Sequence, residues 1–456
     1  MSKAKNLKEL RQALNPRPLK IEELDELFVE TSAARDPKIS RRFEIRERLE
    51  ETDVKILLAG HAGSGKSTEL VKLRTELGGE YVFAELSAIQ DGDPGSNTVE
   101  VVLLLIVEAV LGALRAEKLQ IPDERIRPVY DWFSETFDVS EKDLQFTAEA
   151  NAGVSSKDSL WGKLIGLSAT LKAGVRAGSK HLVKTVREEE RRLAELSQRC
   201  RELVLDAKLE LKAQDKELLL VVEDLDKAQV EEAADLFIKN PVILSGLPLK
   251  VVFTAPIFLL CNPRAGIIES YFEVVTIPMI KVVTQSGEPY EPGWQVIRDI
   301  LANRVDLDEG GLLSHSGLEL AIEKTGGVLR HLFKALHYAA MAAGQAKAQG
   351  EREIEQITRG DVRYGLNRTK AELVRGIGVM GLPEEFKGIT IDHLYERLRE
   401  LRGKSQRVGS DRVNLLLLQA HALVEYNGEQ WHRIHPLVEE HLEETAQPVQ
   451  ETTPES

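Results

Sequence analysis

The sequence predicts an α/β protein built around a parallel sheet that is buried on both faces. Two observations predict it. Five short runs rich in Val, Ile and Leu are separated by helical stretches, and the first run ends in a glycine-rich turn that opens a helix. The 456 residues are enough for several domains, and 42% hydrophobic with 29% charged residues is a globular balance.

The five runs are 54–59, 81–86, 218–222, 251–254 and 273–277. Ahead of them, 1–30 reads as an N-terminal segment of short polar helices around a proline-broken link at 15–19, and 31–283 as the core domain. About 130 residues separate the second run from the third, so a helical insertion is expected over about 98–213. It holds an apolar helix at 98–115, a Gly/Ala/Ser-rich stretch at 148–180 and a long charged helix. In that helix Leu182, Val186, Leu193, Leu196, Cys200, Leu203 and Ala207 recur at steps of three and four, with Glu189 breaking the stripe once. Such a seam suits a partner helix, but packing against the chain's own core is the reading it favours.

From 284 a polar link leads into a helical block to about 365, whose longest member is the Ala-rich helix 328–348. The segment 366–443 offers helices, then two strand-like runs around Asn427-Gly428, then a helix opened by Pro436. Asn-Gly favours a tight hairpin, and helices followed by a hairpin and a last helix suggest a winged helix. The tail 444–456 is expected to be disordered.

The most apolar run, 101–114, is 14 residues long and contains Glu108, too short for a bilayer span of ~20 residues. No apolar segment follows the first charged residues, so neither a membrane nor a secretory signal is expected. Cys200 and Cys261 make no disulfide framework and no metal cluster, which points to a soluble protein of the reducing cytoplasm. Sixty basic against 74 acidic residues leave a net charge of −14, which excludes a generally basic nucleic-acid coat. Any polyanion must be met by a local patch.

The chemistry lies in the turn after the first strand. Gly60, His61, Ala62, Gly63, Ser64, Gly65, Lys66 and Ser67 match G-x-x-x-x-G-K-[ST] at every fixed position. Glycines let backbone N–H groups wrap a phosphate, and the helix opened at Thr68 and running to about Leu77 adds its N-terminal dipole. Lys66 is expected to reach the β- and γ-phosphates, Ser67 to ligate Mg²⁺, and Thr68 to complete the nucleotide-binding set.

The third strand ends in Glu223-Asp224-Leu225-Asp226. An apolar strand ending in adjacent carboxylates supplies one acid for Mg²⁺ and another to polarise the attacking water. The simplest register makes Glu223 the metal-side acid and Asp224 the base. Shifted by one, Asp224 takes the metal and Asp226 is the extra carboxylate. Thr254 is expected to end the fourth strand, with its hydroxyl at the phosphate end of the sheet. Gly326-Gly327-Val328-Leu329-Arg330 places a guanidinium on the first turn of a helix, where it can bridge to a γ-phosphate.

Taken together, these motifs resemble an AAA+-type ATPase, nearest to the origin-recognition and STAND (signal-transduction NTPase) group, over roughly 30–443. The resemblance implies a three-layer P-loop core with a sheet ordered 5-1-4-3-2, a helical lid at 284–365 and a winged helix at 366–443. It implies ATP and Mg²⁺ as ligands, Walker A at 60–67 and Walker B at 219–224, with Thr254 at the sensor-1 position and Arg330 at sensor-2. The candidate catalytic residues are then Lys66, Glu223, Asp224, Thr254 and Arg330. Two departures stand out. Glu223 occupies a place where the family usually has Asp, and Arg264, between Pro263 and Gly266, is the only Arg near the family's arginine-finger position. No fused nuclease, protease or TIR-like constellation is present in the sequence.

The resemblance implies either a nucleotide-driven switch that self-assembles or signals to a separate effector, or a DNA-binding ATPase that uses its winged helix. Arg397, Arg399, Arg402, Lys404, Arg407 and Arg412 form a basic stretch opposed by Glu400 and Asp411. The helix after it carries four consecutive leucines, Leu415 to Leu418, and few groups that read bases. That composition and the net charge favour a protein or self-docking role. His432 and His435, on opposite faces of a strand, are expected to be surface histidines.

Overall fold

The computed structural model describes residues 3–36, 38–88, 98–137, 159–176, 190–308, 310–378, 386–426 and 431–446. Leu182, Val186, Glu189, the Asn427-Gly428 turn, residues 148–158 and 177–180 of the Gly/Ala/Ser-rich stretch and the end of the tail lie outside them.

Helix α1 (Leu7–Ala13) is capped by the Asn6 side chain, which accepts from the Glu9 N–H. Helix α2 (Arg41–Leu49) leads to β1 (Lys55–Gly60), the phosphate-loop turn and α3 (Lys66–Leu77), followed by β2 (Tyr81–Ser87). The insertion folds as α4 (Val99–Ala116), α5 (Asp123–Phe137), α6 (Leu160–Arg176) and α7 (Glu190–Lys212). The chain then returns to the core through β3 (Glu217–Glu223), β4 (Lys250–Pro256) and β5 (Glu273–Thr276).

The five strands pair in parallel in the order β2-β3-β4-β1-β5, which read from the other edge is 5-1-4-3-2. All six residues of β1 are buried, as a central strand covered on both faces requires. Its side chains alternate between two cores. Ile56 and Leu58 pack with Ile45 and Leu49 of α2 and Leu70, Leu73 and Leu77 of α3, while Leu57 and Ala59 join the larger core on the opposite face. The result is a three-layer P-loop core. The insertion's apolar stripe belongs to it: Leu193, Leu196, Cys200, Leu203 and Ala207 of α7 are buried, and α7 packs on α4, α5 and β3. Of the two readings of that seam, the described part takes the self-packed one.

A helical lid follows, made of α8 (Glu291–Ala302), α9 (His315–Thr325), α10 (Leu329–Ala348) and α11 (Arg359–Gly376). Helices α10 and α11 approach so closely that a Cβ on Gly365 would lie 2.0 Å from the Ala335 carbonyl oxygen. Between α9 and α10, Gly326 and Gly327 take φ of 60° and 82°, the left-handed region that glycine tolerates. The N-terminal segment is no free arm: Leu7 and Leu10 of α1 are buried, α1 packs on α10, and the Ala4 N–H donates to Arg304 O at 2.8 Å.

The last part is winged-helix-like. Its elements are α12 (Ile391–Leu401), α13 (Arg412–Gln419), the antiparallel pair β6 (Leu423–Tyr426) and β7 (Trp431–Ile434), and α14 (Pro436–Ala446). It docks on the core. Helix α13 packs on the turn Ile257–Cys261 that follows β4, and the Met279 N–H donates to Glu425 O at 3.1 Å. Leu415 to Leu418 are all buried, so the run that is unsuited to reading bases is a run that packs. Among the described residues no helix is long and apolar enough to cross a membrane.

The α10–α11 approach gives a stability test. Gly365→Ala forces a methyl into the Ala335 carbonyl and is expected to cost ~2–4 kcal/mol in denaturant unfolding. Gly344→Ala, whose Cβ would meet Leu7 at 3.9 Å, is expected to be neutral or to gain up to ~1 kcal/mol.

Candidate functional site

The turn from Gly60 to Ser67 is shaped by its glycines. Gly63 and Gly65 adopt φ of 90° and 97°, and a Cβ on Gly60 would lie 2.7 Å from the Ile277 carbonyl oxygen. Gly65 caps α3, so that helix begins at Lys66 with the free N–H groups of its first turn in the loop. The Lys66 side chain folds back inside the turn. Its ammonium donates to Gly60 O at 2.8 Å and His61 O at 2.9 Å, and it pairs with Asp226 at 2.8 Å.

A cavity of about 370 Å³ opens over this turn. Gly63, Gly65, Lys66, Ser67 and Thr68 form its floor, Leu329, Arg330 and Phe333 of α10 one wall, and Leu19, Leu27, Phe28 and Val29 of the N-terminal segment another. Arg17, Arg35, Lys66, Lys227, Arg304 and Arg330 line it against two carboxylates, Glu69 and Asp226. An acidic protein thus concentrates positive charge where an anionic ligand would sit.

The three acids at the end of β3 and just past it have separate surroundings. Glu223 accepts a hydrogen bond from Ser67, and burial pushes its carboxyl up to about 7. Asp224 sits in the left-handed region at φ 68°, with its carboxylate held by Ser87 Oγ and Lys227 Nζ, each at 2.5 Å. Only Asp226 faces the cavity. The hydroxyl of Ser67 beside the carboxylate of Glu223 is a pair of hard oxygen donors, and a carboxyl this reluctant to ionise alone suits a site that receives a cation. The residues present therefore fit Mg²⁺ in the register that makes Glu223 the metal-side acid.

Thr254 departs from expectation. It does not end its strand: β4 runs on to Pro256, in register with Gly60, and the fully buried Thr254 hydroxyl donates to Val222 O at 3.3 Å. Its hydroxyl thus ties β4 to β3 inside the sheet, and Thr254 is not among the residues lining the cavity. Arg330 does line it, packed so closely on the phosphate loop that a Cβ on Gly63 would lie 2.8 Å from Arg330 Cβ. Arg264 is exposed and outside the cavity lining.

Arg35 escaped sequence reasoning. It is buried beside Gly65, its Nη2 donates to Ser64 O at 2.5 Å, and Nε and Nη1 have no hydrogen-bond partner. Burial lowers its pKa to about 10. A single Arg in Ser-Ala-Ala-Arg-Asp carries no spacing signal.

A second feature lies behind the phosphate loop. The His61 ring turns away from the cavity and accepts the Glu425 N–H of β6 at Nε2, 3.0 Å. His421 lies next to it, ring centroids 5.3 Å apart, and His331 is 5.5 Å from His421. His331 Nδ1 meets His435 Nε2 at 3.0 Å. His432 and His435 were expected at the surface. Both are buried instead, because β7 and the start of α14 form part of the docked interface. Burial lowers His421 and His432 to about 4 and His435 to about 3, and holds His61 and His331 well below the ordinary imidazole value. Lys66, Arg330 and Lys334 face the cluster and oppose further positive charge. Burial raises the Glu425 carboxyl to about 8, so it is held neutral.

The cluster sets a pH dependence. The unfolded chain takes up these histidine protons near pH ~6.5 and the folded protein does not, so stability is lost as pH falls from about 7 toward 4. Each such histidine contributes a slope of up to ~1.4 kcal/mol per pH unit. Glu425 and Glu223 act oppositely, since their contribution is lost as pH rises from ~4.5 through their raised values. Five histidines outweigh two acids, and unfolding between pH 7 and 5 is expected to show a net loss on acidification. His421→Asn, which tolerates that residue's positive φ of 57°, is expected to flatten the slope by about one proton.

No family model matches the chain, and no curated protein matches it. Solved structures do. Cdc6p from Pyrobaculum aerophilum is 14% identical, with 91% of this chain and 98% of that chain covered and a TM-score of 0.36. The Aeropyrum pernix ORC1 protein, solved in complex with DNA, is 15% identical over 95% and 96% of the two chains, with a TM-score of 0.38. The Aeropyrum pernix ORC2 protein in its ADP form is 11% identical over 95% and 96%, with a TM-score of 0.35.

Proposed function

We propose that this chain is a nucleotide-dependent ATPase of the AAA+ or STAND-like kind, working as a switch whose winged-helix-like part is its output. The observation that supports it best is the cationic cavity over the glycine-shaped turn, closed on one side by Arg330 of the lid and backed by the histidine junction on the other. The triphosphate lies along the floor, with Lys66 and Arg330 at its β- and γ-groups. The base takes the apolar end formed by Leu19, Leu27, Phe28 and Phe333. Ser67 and Glu223 would hold Mg²⁺, which would supply charge neutralisation at the phosphates. In hydrolysis a water oxygen bonds to the γ-phosphorus as the bond to the bridging oxygen breaks; ADP leaves with that oxygen, and the water's protons depart on inorganic phosphate or to solvent. Lys66 and Arg330 carry the charge that develops.

A protein or self-docking output is favoured over DNA by the state of the basic stretch. Arg397 pairs with Glu400 and Asp411, Arg402 pairs with Glu443, and α13 is buried on the core. DNA binding remains the second reading, carried by the exposed Arg399, Lys404, Arg407 and Arg412.

Lys66→Ala is expected to weaken ATP and ADP binding by about 100-fold in calorimetry, and unchanged affinity would remove the nucleotide reading. The switch predicts a rise in mass by light scattering with a non-hydrolysable ATP analogue but not with ADP or in the free protein. A monomer in all three states rules out self-assembly as the output. Duplex DNA bound with steep salt dependence, and lost on charge reversal of Arg399 and Arg412, moves the assignment to the second reading.

A further inference from the structure

Lys66 is the side chain that a phosphate needs, and it is already engaged. Asp226 lies in the 3₁₀ turn Leu225–Lys227 just past β3 and meets the ammonium at 2.8 Å, with the two side chains 3% and 9% exposed. Of the three acids there, Asp226 alone lines the cavity; Glu223 faces Ser67 and Asp224 is held by Ser87 and Lys227. Burial disfavours the charged ammonium and Asp226 opposes that effect, so the carboxylate compensates the desolvation of Lys66 while no phosphate is bound.

We propose that Asp226 is a positioning residue: it is the built-in counter-ion of Lys66, and a nucleotide's β-phosphate must displace it, so Asp226 sets the affinity for di- and triphosphates. The inference rests on the reading that the cavity binds nucleotide. The exchange is of like for like, since one anionic oxygen leaves the ammonium as another arrives. The free energy of binding is therefore reduced by whatever the internal pair contributes to the empty state. Removing the charge at 226 leaves the ammonium buried against two neutral carbonyls, Gly60 O and His61 O, and makes a phosphate oxygen more welcome. A ligand without a β-phosphate does not reach Lys66 and gains nothing.

The test compares ADP and AMP, read by displacement of a fluorescent ADP, on full-length wild type, Asp226→Asn, Asp226→Glu and Lys66→Ala. Asp226→Asn is expected to bind ADP about tenfold tighter while its AMP affinity changes less than about twofold. Asp226→Glu keeps the carboxylate and is expected to stay within about threefold of wild type for both ligands. Asp226→Ser, also neutral, gives the same comparison where the Asn variant does not fold. An ADP affinity that is unchanged or weaker in the neutral variants overturns the inference, and so does a gain shared equally by AMP. Failure of wild type to bind ADP at all removes the nucleotide reading itself. Wild type that binds ADP through Lys66, with neutral variants no tighter, removes only the role of Asp226.

Discussion

The ammonium of Lys66 holds the turn after β1 closed by joining two backbone carbonyls to a carboxylate from the next-but-one strand of the sheet. Much of the molecule is arranged around that contact. One of the two carbonyls belongs to His61, whose ring points the opposite way and receives the Glu425 N–H of the wing. A single residue of the turn therefore has its backbone on the phosphate side and its side chain in the domain junction. Helix α10 repeats the arrangement with two neighbours: Arg330 packs on Gly63 in the cavity, while His331 meets His435 behind it. Consecutive residues of a helix point about 100° apart, so the rigid start of α10 reaches both places at once.

This geometry explains how an acidic chain meets an anion. The net charge of −14 belongs to the chain as a whole, whereas the cavity collects cations from three separate parts of it. Arg17 comes from the N-terminal segment, Arg35, Lys66 and Lys227 from the core, and Arg304 and Arg330 from the lid. Two of Arg35's three nitrogens lack partners although the residue is buried, which is costly in an empty site and favourable once acceptor oxygens arrive. In the wing, by contrast, several arginines already have carboxylate partners, so the basic stretch is less of a polyanion surface than its composition suggests.

The parts legible in the sequence were those fixed by short-range pattern. Continuous apolar runs marked the parallel strands, and the spacing of Gly60, Gly63 and Gly65 marked the turn, because steric limits on φ and burial on two faces act within a few residues. Thr254 was misplaced because a strand's end depends on its neighbour: β4 extends to Pro256 since β1 continues to Gly60 beside it. The burial of His432 and His435 depends on a domain docking that no local period encodes. Between Glu223, which meets Ser67, and Asp226, which lines the cavity, the chain passes through the positive φ of Asp224, a turn that residue type alone does not mark.

The docked wing places a thermodynamic limit on any switch built from these parts. Its interface includes the leucine-rich helix α13 against Ile257–Cys261 and five histidines kept neutral by burial, and each fully buried Leu side chain is worth ~1.5–3 kcal/mol. A nucleotide can open such an interface only by as much as it binds the open form better than the docked one. The cavity contains the means for that difference. In the proposed nucleotide complex the phosphate takes the place of Asp226 at Lys66 and lies beside Arg330, so the two elements that carry His61 and His331 are the two that it contacts.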